Sequence, residues 1–186
     1  MASVESFLKN NADMIDAAAR CLESKQLLPT LVLIYSHIDT LSWAASWPED
    51  VSVRRRFEDW TKRWLFPHLS RHSPELTATD LYAARCGVLH SLTGKSDLSR
   101  SGQARELAYA WGTAPVDILH GAIRDSAVAK QLVGLHCQDL LESLRLAVAD
   151  IVAASKSDST VEAALTRAAG EHYENIRLPE PEEGSP

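Results

Sequence analysis

Thr77-Ala78-Thr79-Asp80-Leu81-Tyr82-Ala83-Ala84-Arg85-Cys86-Gly87-Val88-Leu89-His90-Ser91-Leu92 is the stretch on which the reading of the fold turns. Thr77 followed three residues later by Asp80 approximates a capping box, in which hydroxyl and carboxylate satisfy the first free backbone N–H groups of a helix. Leu81, Tyr82, Ala84, Val88 and Leu89 supply its apolar positions, so a helix is predicted over about Ala78–Leu92, with Gly94 placed to end it. Arg85 and His90 stand near its C-terminal end. Five steps of about 100° set them roughly 140° apart around the axis, so they do not stack on one face. Their pairing makes sense if the helix end lines a cleft, above all one completed by the same helix of a second subunit. Gly87, a poor helix former, lets another backbone or a substrate approach closely.

Outward from this stretch the chain reads as helical. Val4, Phe7, Leu8, Ile15, Ala18 and Leu22 recur at helical spacing and predict one long helix from Val4 to about Leu28. Pro29 fits the first turn of a second, from about Thr30 to Ser46, whose apolar circumference is that of a central helix. Trp47-Pro48-Glu49-Asp50 breaks it. A third helix carries Val53, Phe57, Trp60, Trp64 and Leu65 on one face and is expected to end at Pro67.

Beyond Gly102 the period changes. Leu107, Tyr109 and Trp111 alternate, and Leu132, Val133 and Leu135 cluster, so Ala104–Trp111 and Lys130–His136 are predicted as two short strands, the first of them also compatible with a helix. His136–Ala154 and Ser159 to about Tyr173 read as helices again. The expectation is a mainly α domain over 1–175, an up-and-down bundle with a small two-stranded β appendage at about 104–136. A disordered Pro/Glu-rich tail is expected at 176–186.

The 186 residues contain 45% hydrophobic and 24% charged residues, with a net charge of -6. A chain this long buries its apolar surface without staples, so stability makes no demand on Cys21, Cys86 and Cys137. Their odd number and wide spacing fit neither a disulfide framework nor a zinc ribbon, and reduced thiols in the cytoplasm are the simplest reading. No apolar run approaches the roughly 20 residues of a membrane span. The negative charge argues against a broad basic surface for nucleic acid, though not against a local basic cleft.

Arg-x4-His late in an all-helical domain resembles the R-x4–6-H motif of the HEPN (higher eukaryotes and prokaryotes nucleotide-binding) superfamily. Asp80-Leu81-Tyr82, Arg85-Cys86-Gly87, Leu89-His90, Ser96-Asp97-Leu98-Ser99 and Ala108-Tyr109-Ala110-Trp111-Gly112 are similar to a bacterial HEPN-like family over roughly Val32–Ile151. The resemblance implies a metal-independent endoribonuclease with no cofactor. It implies a homodimer whose motifs meet across the interface, with Arg85 and His90 catalytic. It also implies a toxin or defence effector with an antitoxin or other protein partner. Histidine can exchange protons with a ribose 2′-hydroxyl, and arginine can grip a phosphate through two hydrogen bonds. Active members commonly carry Asn, Asp or His directly after the arginine. Cys86 stands there instead, which leaves open a domain that binds nucleotide, RNA or protein without cutting.

Tyr82, Ser91 and Lys95 are the expected supporting residues, joined by Tyr35 and Asp39 of the second helix, which share a face at i,i+4 spacing. Asp39 orienting Arg85 fits both a functional and a purely structural site. In the structural alternative, Arg85 pairs with Asp39 or Asp80 and His90 merely ends its helix. A Cys86–His90 thiolate–imidazole pair and metal binding by His68 and His72 or by His136 and Cys137 lack further partners in the sequence. Arg54-Arg55-Arg56, Lys62, Arg63 and Arg71 read as a solvated basic face. Trp43, Trp47, Trp60 and Trp64 read as core.

Overall fold

In the computed structural model, which describes residues 4–45 and 51–171, the first two helices form a hairpin, α1 (Val4–Glu23) and α2 (Leu27–Ala44). The single helix expected to reach Leu28 is therefore cut short. Lys25 takes a left-handed φ of 60°. The Lys25 N–H then reaches Leu22 O (2.9 Å) and the Gln26 N–H reaches Cys21 O (2.8 Å), the paired bonds of a Schellman stop. Pro29 still lies in the first turn of α2, where its missing N–H costs nothing.

α2 is the central helix its composition suggested. Ile34, Tyr35, Ile38 and Leu41 are buried among α1, α3 (Val53–Trp60), α5 (Ala78–Ser91), α8 (Cys137–Ala154) and α9 (Ser159–Glu171). α3 runs through one π-helical turn, Thr61–Leu65, into α4 (Phe66–Leu69). Pro67 thus sits inside the helical path instead of ending it. A proline ring clashes with the carbonyl four residues back in a regular α-helix. The wider turn, in which the Phe66 N–H bonds Thr61 O, shifts the register just before it. The break at Trp47–Asp50 and the tail at 176–186 lie outside the described residues.

The capping box of α5 is present in full, with Thr77 and Asp80 bonding each other's backbone N–H. Leu92, not Gly94, ends the helix, in a left-handed conformation with φ 52°. α6 (Asp97–Arg100) leads to β1 (Glu106–Ala110), and α7 (Val116–Arg124) crosses to β2 (Leu132–His136). The strands fall within both predicted segments and pair in parallel, Glu106 opposite Leu132 through Ala110 opposite His136. Parallel pairing needs a crossover between the strands, and α7 supplies it. The protein is mainly α with a small two-stranded sheet. No helix among the described residues is long and apolar enough to cross a membrane.

His37 of α2 is buried beside α1. Asn11 Nδ2 donates to Phe7 O (2.7 Å), so Asn11 Oδ1 faces His37 Nε2 at 2.6 Å as an acceptor. His37 therefore carries its proton on Nε2, and its buried Nδ1 has no partner. Burial pushes its pKa down to about 4. Because the folded value lies below the ordinary 6.5, stability from the neutral ring is present above pH 6.5 and lost as pH falls toward 4. The loss is expected to be about 3 kcal/mol. Urea titrations from pH 7 to pH 4 check this, and His37→Leu should flatten that stretch of the profile.

Candidate functional site

Arg85 leaves α5 from its buried side, with the residue 9% exposed. Its Nη2 donates to Asp39 Oδ2 of α2 at 2.5 Å, and its Nη1 lies 3.0 Å from His90 Nε2. The helical angle keeps the two Cα positions off one face, yet the side chains meet within one chain. A side chain of arginine's length spans the turn that the Cα positions separate. Asp39 takes the orienting position expected of it, and Asp80 does not.

The chemistry of the donors fixes the histidine. A guanidinium only donates, so His90 Nε2 must be the acceptor and its proton sits on Nδ1. The His90 ring is exposed. Burial alone would lower the pKa of Arg85, but the Asp39 carboxylate outweighs it and holds the guanidinium charged. The pair is joined by a single hydrogen bond, leaving Arg85 Nε and Asp39 Oδ1 both buried and without a partner. Arg85 thus keeps a donor in reserve, and Asp39 an acceptor.

Tyr82, one turn earlier, sets its ring 5.9 Å from the Arg85 guanidinium carbon and meets Phe57 of α3 edge-to-face at 5.5 Å. Burial, reinforced by Cys86, raises its pKa and keeps the hydroxyl neutral. Cys86 Sγ lies 3.9 Å from Arg85 Nη1. With His90 Nε2 committed to the same guanidinium, the thiolate–imidazole pair considered from the sequence is not what the structure assembles.

Gly87 proves to be a point of close approach, and what approaches is the chain itself. A Cβ there would stand 2.6 Å from Thr93 O and 3.1 Å from Lys95 O. The loop after α5 is folded back on its last turns, bringing Lys95 to the flank of the motif. The Lys95 ammonium reaches Glu106 of β1 at 3.7 Å. The Ser91 hydroxyl donates to Gly87 O (3.0 Å) and secures the helix end. Tyr35 is placed elsewhere than expected. Its hydroxyl is 2.5 Å from that of Tyr109 in β1, so it ties α2 to the sheet. Burial raises its pKa well above the usual tyrosine range.

The other candidates have structural partners. His68 Nε2 meets Asp150 Oδ2 (2.7 Å) and His72 Nδ1 lies 3.7 Å from Asp139 Oδ2, both on α8. His136 caps α8 by accepting from the Gln138 N–H (3.1 Å). Burial pushes the Cys137 thiol up to about 12. Among the described residues no three or more His, Cys, Asp or Glu side chains are grouped to hold a metal ion. Much of the basic face is paired, Arg54 with Glu58, Arg55 with Asp59 and Arg63 with Asp158.

Comparison with family models, curated proteins and solved structures finds no match to this chain. The functional reading therefore rests on the geometry around Arg85 and on the resemblance of its motif.

Proposed function

We propose that Arg85 and His90 form a HEPN-type site that cleaves RNA without a metal, in a homodimer that brings two such sites together. The observation that supports this most is the 3.0 Å contact between a buried, permanently charged guanidinium and an exposed imidazole whose facing nitrogen is an acceptor. A phosphate oxygen entering the site competes for Arg85 Nη1 and frees His90 Nε2. That nitrogen takes the proton of the ribose 2′-hydroxyl, O2′ attacks phosphorus, and the bond to the 5′-oxygen breaks. The leaving oxygen takes its proton from the second copy of the site or from water. The products are a 2′,3′-cyclic phosphate and a 5′-hydroxyl. Arg85 stabilises the charge that grows on the phosphoryl oxygens. A cytoplasmic toxin or defence effector restrained by an antitoxin is the setting this reading fits.

A second reading is favoured by the grip of Asp39 on Arg85 and by Cys86 in the position usually held by a polar residue. In it the domain binds nucleotide, RNA or a protein partner and cuts nothing. Cleavage of a mixed single-stranded RNA in EDTA decides between them. Wild type is expected to cleave, and His90→Ala to lose about 10²–10⁴-fold in rate with its melting temperature kept, since the ring is exposed. Arg85→Ala should lose cleavage too, with its fold checked because Asp39 is left unpaired. No cleavage by a folded, dimeric wild type would transfer the conclusion to the binding reading.

A further inference from the structure

The loop after α5 leaves the C-terminal turns of that helix against Gly87. It returns along the helix until Arg105 bonds Asp80 in the first turn. There it forms one wall of a cavity of about 650 Å³, lined also by Lys130 and Gln131 from the turn before β2. Ligand pockets commonly have volumes of this order. The carboxylates on its walls are already taken. Asp80 is buried against Arg105 and Thr77, and Glu106 lies beside Lys95. The cations are freer. The Lys130 ammonium has no hydrogen-bond or ion-pair partner among the described residues, and neither does the amide of Gln103 or of Gln131. Arg100 meets Asp97 at 3.1 Å, but that carboxylate is 100% exposed, and an exposed pair of this kind contributes little. No aromatic side chain lines the cavity, so a base would find nothing to stack on. Its walls offer charge and hydrogen bonds, which suit a phosphodiester backbone.

We propose that this cavity holds the sugar–phosphate backbone of single-stranded RNA, a few nucleotides away from the bond at His90. The proposal rests on the reading that RNA enters at Arg85 and His90. Lys130 and Arg100 take the phosphates, while the Gln103 and Gln131 amides donate to phosphate or ribose oxygens. Asp80, on the cavity wall, and His90 both belong to α5. Their separation along it is about 15 Å, and the two lie roughly 80° apart around the axis. At about 3.4 Å per stacked nucleotide, about four or five nucleotides cover that span. A grip on the backbone carries no sequence information, so the cavity holds the strand and fixes its path without selecting bases. On a chain of net charge -6, most of the surface repels the strand, which leaves such a wall to decide where it lies.

Fluorescence anisotropy of the full chain with a labelled 2′-O-methyl oligouridine of about ten nucleotides, long enough to span both places, tests the assignment. Lacking a free 2′-hydroxyl, this oligomer cannot be cut, so binding is read apart from cleavage. Saturable binding is expected at low salt. Lys130→Gln and Arg100→Gln should each weaken it about threefold or more, and each should lower the slope of log affinity against log salt by about 0.7. Lys62→Gln, an equal change of charge outside the cavity, should leave affinity and slope as in wild type. All three side chains belong to exposed residues, so melting temperatures should not move. The proposal falls if the oligomer does not bind, or if Lys130→Gln and Arg100→Gln keep the wild-type affinity and slope. It falls equally if Lys62→Gln weakens binding as much as they do, since net charge alone would then be responsible. RNA cleaved by a wild type whose affinity ignores Lys130 and Arg100 would remove the cavity and leave the cleavage reading intact. Binding that needs both cations, in a protein that cuts nothing, would uphold the cavity and overturn cleavage.

Discussion

Asp39→Ala is expected to destabilise the protein by about 3–5 kcal/mol, the usual cost of removing one partner from a buried ion pair. Arg85 is 9% exposed and the Asp39 side chain 23%, so water only partly replaces the lost carboxylate. The guanidinium already carries one unmet donor at Nε, and the substitution would strand Nη2 beside it. His90 compensates little, since its single bond is to Nη1. The converse experiment separates the price of a broken pair from the worth of an intact one. Asp39→Leu combined with Arg85→Met removes both charges and should return to within about 1–2 kcal/mol of wild type. Urea denaturation of the two single variants and the double variant closes the cycle. A loss in the double variant equal to the sum of the two single losses would mean that the pair contributes no coupling, and that Arg85 is held by its packing alone.

Asp80→Ala should cost a similar amount by a different route. Its carboxylate is 4% exposed and accepts four hydrogen bonds. Thr77 N (3.1 Å), Thr77 Oγ1 (2.7 Å) and Arg105 Nη2 (2.7 Å) converge on Oδ2, while Arg105 N (2.7 Å) meets Oδ1. One side chain thus caps α5 and anchors the residue before β1, and Arg105 also donates to the Glu75 carbonyl. A loss of about 3–5 kcal/mol is expected, because buried donors on two segments are left unmet. Hydrogen exchange should quicken most in β1 and in the first turn of α5. Loss confined to the first turn of α5 would show that Asp80 is a cap and nothing more.

The same carboxylate sets part of the acid response. Burial by itself would raise its pKa, but the bonds from Arg105 and Thr77 hold it below the ordinary range. Its contribution to stability is therefore complete above the unfolded value of about 4 and is lost as pH falls through the lower folded value. His37 acts in the window above, between 6.5 and about 4. Acid unfolding should accordingly steepen in two stages, with His37→Leu removing the upper one and Asp80→Asn the lower.

Much of the site was legible because its members announce themselves locally. Thr77 and Asp80 form a capping box by spacing alone, and alternation marked the first strand while an apolar cluster marked the second. Asp39 was a sound candidate because a carboxylate inside an apolar helix needs a partner, and few cations lay within reach. The Arg85–His90 contact was hidden because helical angles describe where side chains start, not where a long one ends. Tyr35 was misplaced for a related reason. It shares a helical face with Asp39, yet a tyrosine reaches far enough to find Tyr109 on another layer.

The sequence by itself determined the longer helices, the strands, the central place of α2 and the candidate residues Arg85, His90 and Asp39, but not α6 or α7. Those follow from periodicity, caps and the burial demands of single residues, all of which are local. Tertiary structure alone decided that the strands run parallel, that α7 crosses between them, that Pro67 is carried inside a helix and that Asp39, Arg85 and His90 meet. Each depends on groups far apart in the chain or on strain relieved by neighbours, and the free energy that selects them arises only when the segments pack.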